Sequence, residues 1–309
     1  MKKIRVLLIA LLAVIFISGC SSGNDEESEV EGKMSPAEES SQNQEEVTVY
    51  KVGVVSSLAE EIWENVNERL EPAENIRVET VLFSDYVNPN IALADGSIHA
   101  NAYQYIPFLN DFNNENETNL IPIGYLSVEP MGIWASEGIE SFDDIPEGAR
   151  IAVIEDPVNL GNSLIHMEKA GLITLAEGVG PTPSEDDIIE NPKNVELVPM
   201  ETGMVARSIE DLELVMPGAT AAKESGLKID EAFYFEDTSE TSYLFRLTFT
   251  TREELTEDEG LRTAMEYYQT QETVDYANDT AQSTFYPGWE NDDDASEDYK
   301  EYVNMMEKE

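Results

Sequence analysis

An α/β fold in two units with a cleft between them is predicted by three observations in this 309-residue sequence. From Val47 onward, apolar β-rich runs alternate with amphipathic helical segments, the pattern of a parallel sheet with helices on its faces. That alternation occurs twice, and a strand followed by helices returns after the second round. The globular part is long enough for two units of ordinary size.

The chain opens with Lys2, Lys3 and Arg5, then the apolar run VLLIALLAVIFI from Val6 to Ile17, then Ser18-Gly19-Cys20. The run has signal-peptide length and is too short to be a good spanning helix. This order resembles the leader and lipobox of a bacterial lipoprotein, which implies removal of residues 1–19 and a lipid on the thiol of Cys20. Cys20 is the single cysteine of the sequence, so neither a disulfide nor a cysteine nucleophile is available. Residues 20–46 follow as a polar, acidic tether rich in Ser, Glu, Asn and Gln, with too little apolar surface to fold. Its reach as a flexible chain is about 25–30 Å.

Charge sets the environment. The sequence carries 18 basic and 64 acidic residues, a net charge of −46. Without the three basic residues of the leader, 15 basic face 64 acidic residues, or −49. Such a charge repels nucleic acid and anionic lipid and strains the compact state by self-repulsion. The acids are spread over the expected helices as well as the runs SEDD and NDDD, a pattern of a halophile-like solvated surface rather than of calcium loops. Stability is therefore expected to rise as sodium chloride shrinks the Debye length from about 10 Å at 0.1 M to about 3 Å at 1 M. A thermal unfolding midpoint that stays flat or falls over that range would count against this reading.

The first unit begins with the strand VTVYKVGVV. The helix SLAEEIWENVNERLE follows, opened by a capping box of Ser57 and Glu60 and striped by Leu58, Ile62, Val66 and Leu70. IRVETVLF is the second strand, DYVNPNIALADGSI holds a short helix ending at Asp95-Gly96, and HANAYQYIPFL runs from a third strand into a loop. The second unit starts after EPMGIWAS. ARIAVI is a strand, NLGNSLIHMEKAGL a helix ending at Gly171, VELVPM a strand, MVARSIEDL a helix and LELVM a strand. YLFRLTFT returns as a strand, and DEGLRTAMEYYQTQETVDYAND makes the last helices.

Ligands of open α/β sheets sit at the carboxyl ends of strands, and one such end is IEDPVNLGNSL, Ile154 to Leu164. There Asn159 is expected to cap the helix, Pro157 to preset the turn, and Gly161 to let another group approach closely. Exposed amides at a helix start favour an anion, yet Asp156 already places a negative charge beside them and no cation stands in the turn.

The stretches LFSDYVNPNIALADGSIHANAYQYIPFL, VEPMG, DPVNLGNSL, AGLITL, IIENPKN and ARSIEDLE resemble, in order, the landmarks of the methionine-binding lipoproteins, the MetQ/NlpA family. They extend from about Val49 to about Tyr286. The resemblance implies a two-lobed, type II periplasmic-binding-protein fold with its ligand cleft between the lobes. It also implies delivery of an amino acid to an ABC permease and its ATPase at the outer face of the cell membrane. The lobes are expected at 47–132 plus 248–290 and at 133–247, leaving 291–309 as an acidic C-terminal extension; a monomer without cofactor or metal is expected.

Carried over by position, the family's binding residues fall on a changed set. Its aromatic in FSDYV is kept as Tyr86. Tyr103, Tyr105 and Phe108 stand where the family has an aromatic, a histidine and a tyrosine. Asn159 is kept, but the arginine that clamps the ligand carboxylate becomes Asn162. Gly218 and Phe245 replace two ligand-contacting asparagines. The segment EDTSETSYLFRL is one residue longer than its counterpart, so a register shift would turn Arg246 rather than Phe245 to the cleft. The implied ligand is a small, largely apolar or neutral-polar solute against Tyr86, Tyr103, Tyr105 and Phe108, with methionine bound weakly or not at all.

Spacing alone fits Tyr103, Tyr105 and Phe108 to a core as well as to a cleft; the resemblance selects the cleft. His99 and His166 have no companion ligands at metal spacing and read as surface or core residues. Arg207 reads as structural. No nucleophile elbow, phosphate loop or dinucleotide fingerprint is present, which argues against an enzyme. A surface-anchored binding module without a transporter is the alternative, because a scaffold does not fix its function.

Overall fold

The structure is a computed structural model and describes residues 46–281, 285–290 and 293–308. The leader, Cys20 and the tether up to residue 45 lie outside the described residues. Among the described residues no helix is long and apolar enough to cross a membrane.

Strand β1 (Thr48–Val54) leads into α1 (Ser57–Glu74), β2 (Ile76–Leu82), α2 (Asn88–Ala94), β3 (Ala100–Gln104), α3 (Ile106–Asn116) and β4 (Leu120–Val128). The chain then builds β5 (Gly132–Ala135), β6 (Arg150–Ile154), α4 (Pro157–Lys169), β7 (Thr174–Leu175), β8 (Ile188–Glu190) and β9 (Glu196–Met200). Next come α5 (Thr202–Val205), β10 (Leu214–Val215), α6 (Ala219–Glu224) and β11 (Tyr234–Phe235). It ends with β12 (Arg246–Arg252), α7 (Glu259–Tyr268), α8 (Gln271–Ala281), β13 (Tyr286–Pro287) and α9 (Ala295–Met306).

Two main sheets result, ordered β13-β4-β12-β3-β1-β2 and β11-β5-β10-β6-β9, with β7 and β8 as a small pair. Neither main sheet is purely parallel. β1 runs parallel to β2 and β3, whereas β12 and β13 are antiparallel to their neighbours. In the second sheet β6 is parallel to β9 and β10, and β5 and β11 pair antiparallel. The antiparallel strands enter where the chain crosses between sheets and comes back, which simple strand-helix alternation does not foresee.

Each sheet carries apolar clusters on both faces. On one face of the first sheet, Val52, Val54 and Phe249 meet Ile62, Trp63, Val66 and Leu70 of α1 and Leu261, Met265 and Tyr268 of α7. Trp63 is 1 % exposed, with ring centroids 4.8 Å from Tyr268 and 5.6 Å from Phe249. The expected stripe of α1 is therefore its buried face, with Leu58 partly covered. Its cap is Ser56, not Ser57: the Ser56 hydroxyl accepts from the Ala59 amide at 3.2 Å.

Two readings of elements change. The stretch after β3, expected as a loop, is the helix α3, with Pro107 in its first turn, where a missing amide costs no helical bond. The segment 291–309, expected as an extension, contains α9, whose Ala295, Tyr299 and Tyr302 are buried against α3 and β4. Tyr299 accepts from Asn113 at 2.8 Å, and Tyr125 donates to Asp298 at 2.7 Å.

The strand order requires the chain to pass between the main sheets twice, from β4 to β5 and from β11 to β12. The two crossings lie side by side. The Met131 amide donates to the Glu236 carboxylate at 3.0 Å, and the Glu236 amide donates to the Met131 carbonyl at 2.9 Å.

Candidate functional site

A cavity of about 450 Å³ opens between the sheets. The first sheet's side supplies the start of α1, the loop after β2, the end of β3 and the end of β4; the second supplies residues of α4, α5 and α6. Hydrogen bonds join these sides across the cleft, among them Tyr86 Oη to Thr202 Oγ1 at 3.0 Å and the Ser57 hydroxyl to the Glu224 carboxylate at 3.0 Å.

Tyr86, Tyr103, Tyr105 and Phe108 all line the cavity. The Tyr86 and Tyr103 rings stack at 5.8 Å, and Phe108 stands edge-on to both at 6.3 Å. The Tyr103 hydroxyl donates to the Tyr86 carbonyl, fixing the loop after β2 on the strand end. Burial pushes the Tyr86 phenol up to about 12 and that of Tyr105 well above its ordinary value, so both stay neutral. Beneath them lies a buried amide network. Asn90 donates to Gln104 at 2.6 Å, Asn101 to Asn90 at 2.7 Å, and Gln104 to Asn90 at 2.8 Å. It joins α2 to β3 and holds Gln104 in the wall.

At the start of α4, Asp156 and not Asn159 is the cap. The Asp156 carboxylate accepts from the Asn159 amide at 2.9 Å and from its side chain at 2.8 Å. The helix end that could receive an anion is thus already filled by the chain's own carboxylate. Burial raises the Asp156 pKa, opposed by these bonds. Asn159 still lines the cavity. Gly161 admits a close neighbour, but the neighbour is the 182–183 backbone: a Cβ on Gly161 would lie 2.9 Å from it.

Glu129, at the end of β4, is a wall residue that spacing did not single out. Its carboxylate accepts from the Thr220 amide at 2.6 Å and the Thr220 hydroxyl at 2.8 Å. Burial pushes its pKa up to about 6 against the pull of those two bonds, and Glu224 and Glu236 add to the rise. Gly218 makes room for it, since a Cβ there would lie 2.9 Å from Glu129 Oε1. Lys223 on α6 also lines the cavity, and no arginine is among the described residues that do.

The NlpA lipoprotein family matches residues 50–289. The chain belongs to this family. It is 32 % identical over 250 residues to the D-methionine-binding lipoprotein MetQ of Escherichia coli K12, covering 80 % of this chain and 91 % of the relative. A crystal structure of the methionine-binding protein MetQ superposes with a TM-score of 0.73 at 33 % identity, covering 79 % of this chain and 99 % of the other. A periplasmic substrate-binding protein of an ABC transporter from Coxiella burnetii gives 0.71 at 27 % identity, with 77 % and 99 % covered. The fold is that of periplasmic substrate-binding proteins, and membership places the chain among solute-binding proteins rather than enzymes.

Against the other NlpA lipoprotein landmarks, three expected positions stand apart from the cavity. Asn162 is 2 % exposed within α4, one turn beyond Asn159, and does not line the cavity. Phe245 packs edge-on against Tyr105 at 5.5 Å, behind the aromatic wall. Arg246 does not line the cavity either. Its guanidinium donates to Asp293 at 3.0 Å and to the Gly288 carbonyl at 3.2 Å, and lies 5.7 Å over the Tyr125 ring. The strand-register argument failed because residues 243–245 form a 3₁₀ turn, and β12 begins only at Arg246. Arg246 holds the segment leading to α9, which lies beyond the part matched by the family. Gly218 lines the cavity through the space it leaves for Glu129. His166 is buried in contact with Tyr234 and Glu236, while His99 accepts from the Lys51 amide.

Proposed function

We propose that this protein is a lipid-tethered, extracytoplasmic solute-binding component of an ABC importer, and that its site has lost the carboxylate clamp of methionine binders. Its solute is small, with an apolar body that lies on Tyr86, Tyr103, Tyr105 and Phe108. The observation that carries this reading is a cavity with an aromatic wall and no arginine among its described lining residues. Removing one partner of a buried charge pair costs about 2–5 kcal/mol, and the α4 start is a poor substitute because the Asp156 carboxylate caps it. Residues 47–132 with 248–290, together with α9, and residues 133–247 act as the two lobes. Lipid on Cys20 keeps them at the outer face of the membrane, where the solute passes to a permease driven by an ATPase.

The test is calorimetric titration of methionine into the purified protein, together with mass spectrometry of any co-purified small molecule. Weak or undetectable methionine binding, with a different small solute recovered, is expected. Tight methionine binding by the wild type overturns the lost-clamp reading.

A further inference from the structure

The wall groups of the cavity differ in what they can neutralise. Glu129 is a part-buried carboxylate in the cavity wall, and no ion pair reaches it within 4.0 Å among the described residues. Its other charged neighbours, Glu224 and Glu236, carry the same sign. Lys223 shares the wall but forms no ion pair with it. A carboxylate offers about four lone-pair sites, and Thr220 uses two of them. The remaining acceptor capacity and the negative charge are unmatched by the protein.

Apart from Lys223, the described wall offers little to hold an anion. The α4 helix start is capped by Asp156, and no arginine lines the described wall. The stacked Tyr86 and Tyr103 and the perpendicular Phe108 line the same cavity and offer an apolar body its surface.

We propose that Glu129 is the specificity-determining anchor of this site and that the solute is an amine whose ammonium group binds its carboxylate, with the apolar remainder on the aromatic wall. The inference rests on the cavity being the solute site, as proposed above. Gly218 belongs to the device, since any side chain there would displace the Glu129 carboxylate.

Three probes with the same thioether chain separate the charges: 3-(methylthio)propylamine, 4-(methylthio)butyrate and methionine. Calorimetry on the wild type at neutral pH is expected to show the amine binding and the acid not binding. Glu129→Gln keeps the shape and removes the charge, and should weaken the amine by about 30-fold or more. The proposal is overturned if the acid binds as well as the amine, or if the amine does not bind. It is also overturned if Glu129→Gln binds the amine unchanged while keeping its thermal unfolding midpoint. Should the variant fail to fold, the wild-type contrast between amine and acid decides alone. Tight methionine binding that vanishes in Glu129→Gln supports the anchor and overturns only the lost clamp.

Discussion

Asn162→Arg is expected to raise the affinity for methionine by about 30-fold or more, the equivalent of restoring one partner of a buried charge pair worth about 2–5 kcal/mol. Asn162 lies one helical turn beyond Asn159, which does line the cavity. A side chain as short as asparagine stops inside the helix packing, whereas a guanidinium from the same position has the length to enter the cleft. The measurement is the methionine dissociation constant of variant and wild type by calorimetry. An unchanged constant in a variant that unfolds at the wild-type temperature would show that position 162 is not where the clamp was lost.

Trp63→Ala should lower stability by about 3–5 kcal/mol, as for other large aromatic truncations in a core. For a protein of this size that corresponds to a fall of roughly 6–20 °C in the unfolding midpoint. The indole is 1 % exposed between Phe249 and Tyr268, and one side of it reaches the cavity. Truncation would therefore also deepen the solute site. Calorimetric unfolding checks the first effect, and a loss below about 1 kcal/mol would mean that the neighbours collapse into the space.

How much of this was legible in the sequence depended on how local each signal was. The stripe of α1 was readable because Ile62, Val66 and Leu70 sit at helical spacing and all are buried. The same spacing existed in Ala295, Tyr299 and Tyr302, but the acidic residues around them suggested a solvated tail, and only the packing against α3 and β4 shows otherwise. The aromatic residues that line the cavity had been singled out through the family pattern. Arg246 was misplaced because a turn at 243–245, invisible to a strand-register argument, comes before β12. Glu129 escaped notice among 64 acidic residues. Its chemistry depends on Thr220 and Gly218, about ninety positions away, which the fold alone brings beside it.

The paired crossings at Met131 and Glu236 define an axis, because two adjacent connections permit rotation far more readily than sliding. Atoms near a pivot move least. Glu129 is two residues from Met131, so rotation about that axis would displace its carboxylate less than the groups at the mouth. The Tyr86–Thr202 and Ser57–Glu224 bonds span the two sides and must break for the mouth to open. Rotation about that axis would then let a solute reach Glu129 before the mouth closes over it, and would open the mouth before that contact is given up.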